Sequence, residues 1–242
     1  MIHKTNGIVL RTVKYGETSV IAKIFTELFG IQSYIVNGVR TRSKTSKAHY
    51  FQPSCILDLE VYHSDLKNLQ RIKEMRWSYL YQYVLNDVIK NSVALFIVEL
   101  LYKCLKEPEQ NILLFEFCEN TLVALDKQGH DVAANLPLYF SVQLPNFFGF
   151  RLQDNYSISQ NLFDPVEGKF TNENEEGQRQ IKEDVAYYIS LLIKIKNPGE
   201  VNAIKLNRLQ RRTIFAEMML FYNHHFPDFG AMNTLAMMQE IL

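Results

Sequence analysis

The chain has 242 residues, 47% of them hydrophobic and 12% aromatic, enough apolar material for the core of one large domain or two modest ones. Its 26 lysines and arginines balance 26 acids, and zero net charge by itself argues against a nucleic-acid binder. No apolar run reaches the ~18 residues that a membrane-crossing helix needs, and Met1-Ile2-His3-Lys4-Thr5 lacks the layout of a secretory signal, so a cytoplasmic protein is expected.

The first part of the chain reads as strands. Gly7–Val13 is β-branched, Tyr15-Gly16-Glu17 is a turn, and Ser19–Thr26 alternates, with Val20, Ala22 and Ile24 set against Ser19, Ile21, Lys23 and Phe25. Phe29-Gly30 is a second turn, Ile31–Val36 a third strand, Cys55–Tyr62 a fourth and Leu69–Arg76 a fifth. Short strands at this spacing, joined by glycine turns, predict a small closed barrel or sandwich. Five strands in so short a stretch fit an OB-fold. Between the third and fourth lies Asn37–Lys47, a polar loop with four cations and no acid.

From about Ser78 the apolar spacing becomes helical. Tyr79–Asp87 is expected to begin the helical half. Ser92 is the expected N-cap of Val93–Leu105, and Glu109 or Asn111 opens a helix that closes near Gly129. Val132–Phe148 reads as one further helix, stopped by Gly149. Asp164–Phe170 is a turn between short extended pieces. Helices follow over Ile181–Lys194, from Asn197-Pro198 through a basic cluster, through Phe215–Leu220, and over Thr234–Leu242. The fold class is therefore α+β: a barrel over 1–78, then a helical domain over 79–242 with a small hairpin insert at 150–177.

Zero net charge hides an asymmetry. The first 80 residues hold twelve lysines and arginines against six acids, leaving the remainder at −6. A basic unit on an acidic body is expected where one part meets phosphate. Arg11 and Lys14, with Arg40, Arg42, Lys44 and Lys47 of the loop, are the candidate phosphate contacts. Tyr15, Tyr34, Tyr50 and Phe51 are nearby rings that could stack on bases, although a solvated loop with core aromatics fits the same residues. Lys205, Arg208 and Arg212 form a second cluster on one predicted helix face, suited to phosphate, to an acidic peptide, or to pairing with Glu200 and Glu217. There is no Gly-x-Ser-x-Gly elbow, no Walker-type loop and no Gly-x-Gly-x-x-Gly. Cys55, Cys104 and Cys118 lack metal-ligand spacing and read as small buried hydrophobes, with a disulfide or zinc site as the other reading. His224-His225 points two ways on a helix and reads as structural. No enzyme activity, cofactor or metal is expected.

Several stretches together resemble the RecO family of DNA repair and recombination mediators. They are Gly7-Ile8-Val9-Leu10 with Tyr15-Gly16-Glu17, Ile24–Gly30, and Asn37-Gly38-Val39-Arg40 through Ser43, where Asn37 replaces the family's lysine. Further along come Phe51-Gln52-Pro53, Ala94–Leu101 with its Glu99-Leu100, Phe221-Tyr222-x-x-His225, and Leu235–Leu242. The resemblance spans the whole length. It implies an N-terminal OB-fold, a helical C-terminal domain, binding of single- and double-stranded DNA, strand annealing, and a nucleoid-associated place in the cytoplasm. It also implies recombinase loading onto DNA coated with single-strand binding protein, with RecR and sometimes RecF as partners. The helical domain would take the acidic C-terminal tail of single-strand binding protein, with Lys205, Arg208 and Arg212 as the candidate contacts. The rival reading is an adaptor whose basic loop meets acidic peptides without DNA. One departure stands out. Many family members carry a four-cysteine zinc module after a Gly-Phe pair. Here Phe148-Gly149-Phe150 is present, but Arg151–Asn174 contains no cysteine or histidine, and zinc needs such ligands. A metal-free hairpin around Asp164–Phe170 is expected instead.

Overall fold

A computed structural model describes residues 1–39, 47–172 and 183–242, except for the side chains of Asp131 and Glu183. Five strands, β1 (Ile2–Tyr15), β2 (Ser19–Thr26), β3 (Gly30–Val36), β4 (Ile56–Tyr62) and β5 (Gln70–Tyr79), close a barrel in the order β1-β2-β3-β5-β4. All pairs are antiparallel except β3 with β5, where Tyr34 faces Gln70 and Ile35 faces Arg71. This is the expected OB-fold, with β1 longer at both ends than its β-branched centre suggests. Two turns depend on glycine. Gly16 and Gly30 both have φ +59°, and a Cβ at Gly30 would lie 2.2 Å from the Glu109 carbonyl oxygen, so only glycine lets the β2–β3 turn meet the helical body.

β1 is buried on both sides. Val9 joins Ile24, Tyr34, Leu57 and Leu59 inside the barrel, while Ile8 and Leu10 join Phe25 and Ile56 in a second core shared with the helices. A strand covered on both faces reads as an unbroken apolar run, as Ile8-Val9-Leu10 does. Tyr34 and Phe51 are buried in the barrel, which removes both from the set of rings available for stacking.

The helical body comprises α1 (Val88–Cys104), α2 (Ile112–Lys127), α3 (His130–Ala133), α4 (Leu136–Gln143), α5 (Glu183–Lys194), α6 (Arg208–His225) and α7 (Leu235–Ile241). It departs from the sequence reading at four places. Tyr79 ends β5, and residues 80–87 are irregular. The reason is Asp126, whose carboxylate accepts from the Tyr79 hydroxyl and from the backbone N–H groups of Gln82, Tyr83 and Val84 at 2.8–3.0 Å. That satisfies the linker backbone without a helix. Next, α1 is capped by Asp87, which accepts from Lys90 N at 2.9 Å. Ser92 lies inside the helix, donating to Val88 O. Third, Val132–Phe148 is not one helix. Pro137 and Pro145 cannot donate, and the run breaks into α3, α4 and a 3₁₀ turn, Leu144–Phe148, ended by Gly149 at φ +81°. Fourth, Lys205 lies outside any helix. A 3₁₀ turn, Pro198–Ala203, ends before it, and α6 starts at Arg208 through a capping box of Asn207 with Gln210.

The insert forms a hairpin, β6 (Leu162–Asp164) paired with β7 (Lys169–Thr171). Phe163 and Phe170 are buried. Asp164 accepts from Val166 N and Glu167 N across the turn, and Asn155 bonds both the N–H and the C=O of Phe170 at 2.9 and 2.8 Å. Aromatic packing and these bonds hold the strands. Among the described residues, no three His, Cys, Asp or Glu side chains converge as a metal ligand set. Glu175, Glu176 and Gly177 lie outside the described residues.

Candidate nucleic-acid interface

The cations of the barrel fall on two faces with opposite surroundings. Along β4, with the start of β1 and most of β5 beside it, Lys4, Lys73 and Arg76 each face an acid. Lys73 Nζ lies 2.9 Å and Lys4 Nζ 3.4 Å from the Glu60 carboxylate, and Arg76 Nη2 lies 2.6 Å from Asp58 Oδ2. Hydrogen bonding from Lys73, then from Lys4, holds the Glu60 carboxyl below its usual range.

The outer face of β1, β2 and β3 is different. Arg11 is the direct cross-strand neighbour of Lys23, which faces Ser33 on β3. The next row reads Val13, Ile21, Ile35, Arg71. Arg11 and Arg71 are exposed and Lys23 is half-buried. None has an acid within ion-pair distance among the described residues. Like charges directly opposite across strands destabilise a sheet, so the Arg11–Lys23 pair is a cost that an anionic partner would relieve.

Of the residues singled out by sequence, Arg11 lies on this face, while Lys14, opposite Val20, lies on the other side of β1 beside the β1–β2 turn. Lys47 is exposed and precedes the 3₁₀ turn Ala48–Phe51. Ser19 Oγ donates to Asn37 Oδ1 at 3.0 Å and Thr12 Oγ1 to Phe51 O at 2.8 Å, so the β1–β2 hairpin and both ends of the basic loop meet at one end of the barrel. Arg40, Arg42 and Lys44 lie outside the described residues. Lys23 and Arg71 were missed. The alternation of β2 already put Lys23 on the outer side, but its partner on β1 depends on register. Trp77 and His49, beside Tyr50 at the same barrel end, were missed too; Tyr15 is half exposed there, at 50%.

The second basic cluster divides. Arg208 Nη2 donates to Glu240 O at 3.0 Å and Arg212 Nη2 donates to Gln239 O. Both guanidiniums thus hold the last carbonyls of α7, where cations suit the helix dipole. Arg212 also lines a groove of about 640 Å³ between α6 and α7, floored by Phe215, Met219, Leu220 and Leu235. Lys205 lines a separate cavity of about 210 Å³ beside Asn135 and Arg211. The structure therefore does not bring the three together.

The quoted motif residues have structural work. Glu99 accepts from Asn233 N, Asn233 Nδ2 and Thr234 N at 2.7–2.8 Å, fixing the start of α7. Tyr222 donates to Ser141 O, and His225 Nε2 donates to Val166 O in the hairpin turn. His225 is thus a strut. The three cysteines are free and buried, and burial pushes the Cys55 thiol up to about 12, out of nucleophilic range.

A closed barrel in this strand order, joined to a helical body, makes the chain an OB-fold protein with a helical C-terminal half. The N-terminal family of recombination protein O matches residues 1–81, and its C-terminal family matches residues 85–229. The DNA repair protein RecO of Phocaeicola vulgatus is 30% identical over 241 residues, covering all of this chain and 99% of the relative. The RecO of Bacteroides fragilis is 30% identical over all of this chain and 99% of its own length. That of Flavobacterium psychrophilum is 30% identical over 98% of each. The chain belongs to the RecO family of DNA repair proteins. No helix among the described residues is long and apolar enough to cross a membrane.

Proposed function

We propose that this protein is a non-catalytic mediator. It binds single- and double-stranded DNA, anneals complementary strands and, with RecR, helps load recombinase onto DNA coated with single-strand binding protein. The observation that carries the reading is the uncompensated Arg11–Lys23 pair on the β1–β2–β3 face, set against the neutralised β4–β5 face. Phosphates supply the missing countercharge without regard to sequence, as annealing of arbitrary complementary strands requires. Residues 1–78 act as the DNA-binding unit, through Arg11, Lys14, Lys23, Lys47 and Arg71, joined on sequence grounds by Arg40, Arg42 and Lys44. Residues 79–242 act as the partner-binding unit. The α6–α7 groove, apolar in its floor and lined at its edge by Arg212, suits the acidic tail of single-strand binding protein.

Gel shift and annealing with complementary oligonucleotides test this, followed through a salt titration. Binding should weaken with salt by about 0.7–0.9 log units per log unit for each phosphate contacted. Replacing Arg11, Lys23 and Arg71 should flatten that slope by about two units. An unchanged slope would remove the face from the assignment. Absence of DNA binding, with retained binding of acidic peptides, would favour the adaptor reading instead.

A further inference from the structure

Three aromatic rings cluster at the barrel end where the β1–β2 hairpin meets the basic loop. The His49 and Tyr50 ring centroids are 4.3 Å apart with a 38° tilt, those of Tyr50 and Trp77 4.8 Å apart with a 33° tilt, and those of His49 and Trp77 5.9 Å apart with a 34° tilt. Trp77 sits on β5 opposite Leu57, and His49 and Tyr50 come from the 3₁₀ turn Ala48–Phe51. Tyr50 and Trp77 are half-buried, while His49, the outer ring, is exposed. Tyr50 and Trp77 pack against the barrel core, but closing the barrel does not account for His49. Val36, Val39 and Phe51 already fill this end and are 2–6% exposed. A histidine added outside them contributes a ring face and no core. Lys47 and Lys14 lie at the same end, and neither has an acid in ion-pair range among the described residues.

We propose that His49, Tyr50 and Trp77 form a stacking platform for unpaired bases, so that this end of the barrel takes single-stranded nucleic acid in preference to duplex. The proposal rests on the DNA-binding reading and adds strand selectivity to it. Every base has a ring face, and aromatic stacking binds single strands whatever their sequence. In a duplex those faces are already stacked on each other, so duplex contacts are limited to backbone and groove edges. The flanking lysines hold the phosphates while the rings take the bases.

Trp77 is the only tryptophan in the chain, so its emission reports on the platform directly. The test titrates the full chain with oligo-dT, with a duplex of equal length, and with an oligonucleotide of abasic sites. Oligo-dT should quench Trp77; duplex and abasic strands should bind without quenching. His49→Ala and Tyr50→Leu, the second keeping an apolar side chain over the barrel end, should weaken oligo-dT binding by about 5- to 150-fold for each base stack lost. Duplex affinity and the salt slope should stay unchanged. Oligo-dT affinity left unchanged in these variants, or weakened only as much as duplex affinity, overturns the platform, as does tight oligo-dT binding with unchanged Trp77 emission. Those results leave the charged face standing. Wild type that binds neither form overturns both readings.

Discussion

Replacing Asp126 with alanine should destabilise the protein by about 3–4 kcal/mol. Asp126 is 1% exposed and accepts four hydrogen bonds, three from the backbone of the linker between barrel and helices and one from Tyr79. At a net ~1 kcal/mol per bond, four bonds give the stated figure. Val84 N is the costliest to orphan, since Val84 is fully buried, whereas water can reach Gln82 and Tyr83. Asp126→Asn keeps one acceptor oxygen, which serves Tyr83 and Val84, and should cost about half as much. Urea unfolding of the three proteins measures the differences, and a cycle with Tyr79→Phe isolates that one bond. The pH dependence adds a second constraint. Burial acts to raise the Asp126 carboxyl, but the hydrogen bonds from Gln82, Val84, Tyr83 and Tyr79 outweigh it and hold the group below its usual range. A depressed carboxylate contributes its stability above the unfolded value of about 3.9 and loses it as pH falls through the folded one. The gap between wild type and Asp126→Ala should therefore be flat from neutral pH down to about pH 5 and narrow below about pH 4. A cost under about 1 kcal/mol, or a gap unchanged at low pH, would refute this account of the linker.

Four more outcomes follow. Lys73→Ala and Arg76→Ala, on the neutralised face, should leave the salt slope of DNA binding unaltered, while Arg11→Ala reduces it by about 0.7–0.9; gel shifts at several salt concentrations decide. Glu99→Ala removes the clamp on Asn233 and Thr234 and should raise amide exchange across α7 well above that of α1, read by hydrogen-exchange mass spectrometry. Asn155→Ala removes both side-chain bonds to Phe170 and should cost about 1–3 kcal/mol. Elemental analysis of the wild type should show no stoichiometric zinc; a bound equivalent would overturn the metal-free hairpin.

Much of the fold was legible because local rules and tertiary demands agree. The phase of Ser19–Thr26, the glycine turns at Gly16 and Gly30, and the stop at Gly149 are each set within a few residues. The reading went wrong where a distant group competes for the backbone. Tyr79–Asp87 has helical spacing, yet Asp126, more than forty residues away, takes its N–H groups. Ser92 is a competent cap, but Asp87 offers its carboxylate one turn earlier. Lys205 shares the spacing of Arg208, but Asn207 starts the helix after it.

For the candidate site the division is similar. A basic N-terminal part, a cation-rich loop and the missing zinc ligands are matters of residue type and order, and they are settled by the sequence alone. Which cations are free is not. Lys4, Lys73 and Arg76 count the same as Arg11, Lys23 and Arg71 in any tally of charge. Only strand register sets the first three against Glu60 and Asp58 and leaves Arg11 facing Lys23. Tyr34 and Tyr50 are likewise equal as residues until closure of the barrel buries one and leaves the other clustered with His49 and Trp77. Register and closure are long-range, because they depend on which strands pair, and one residue of slip turns every side chain to the opposite face.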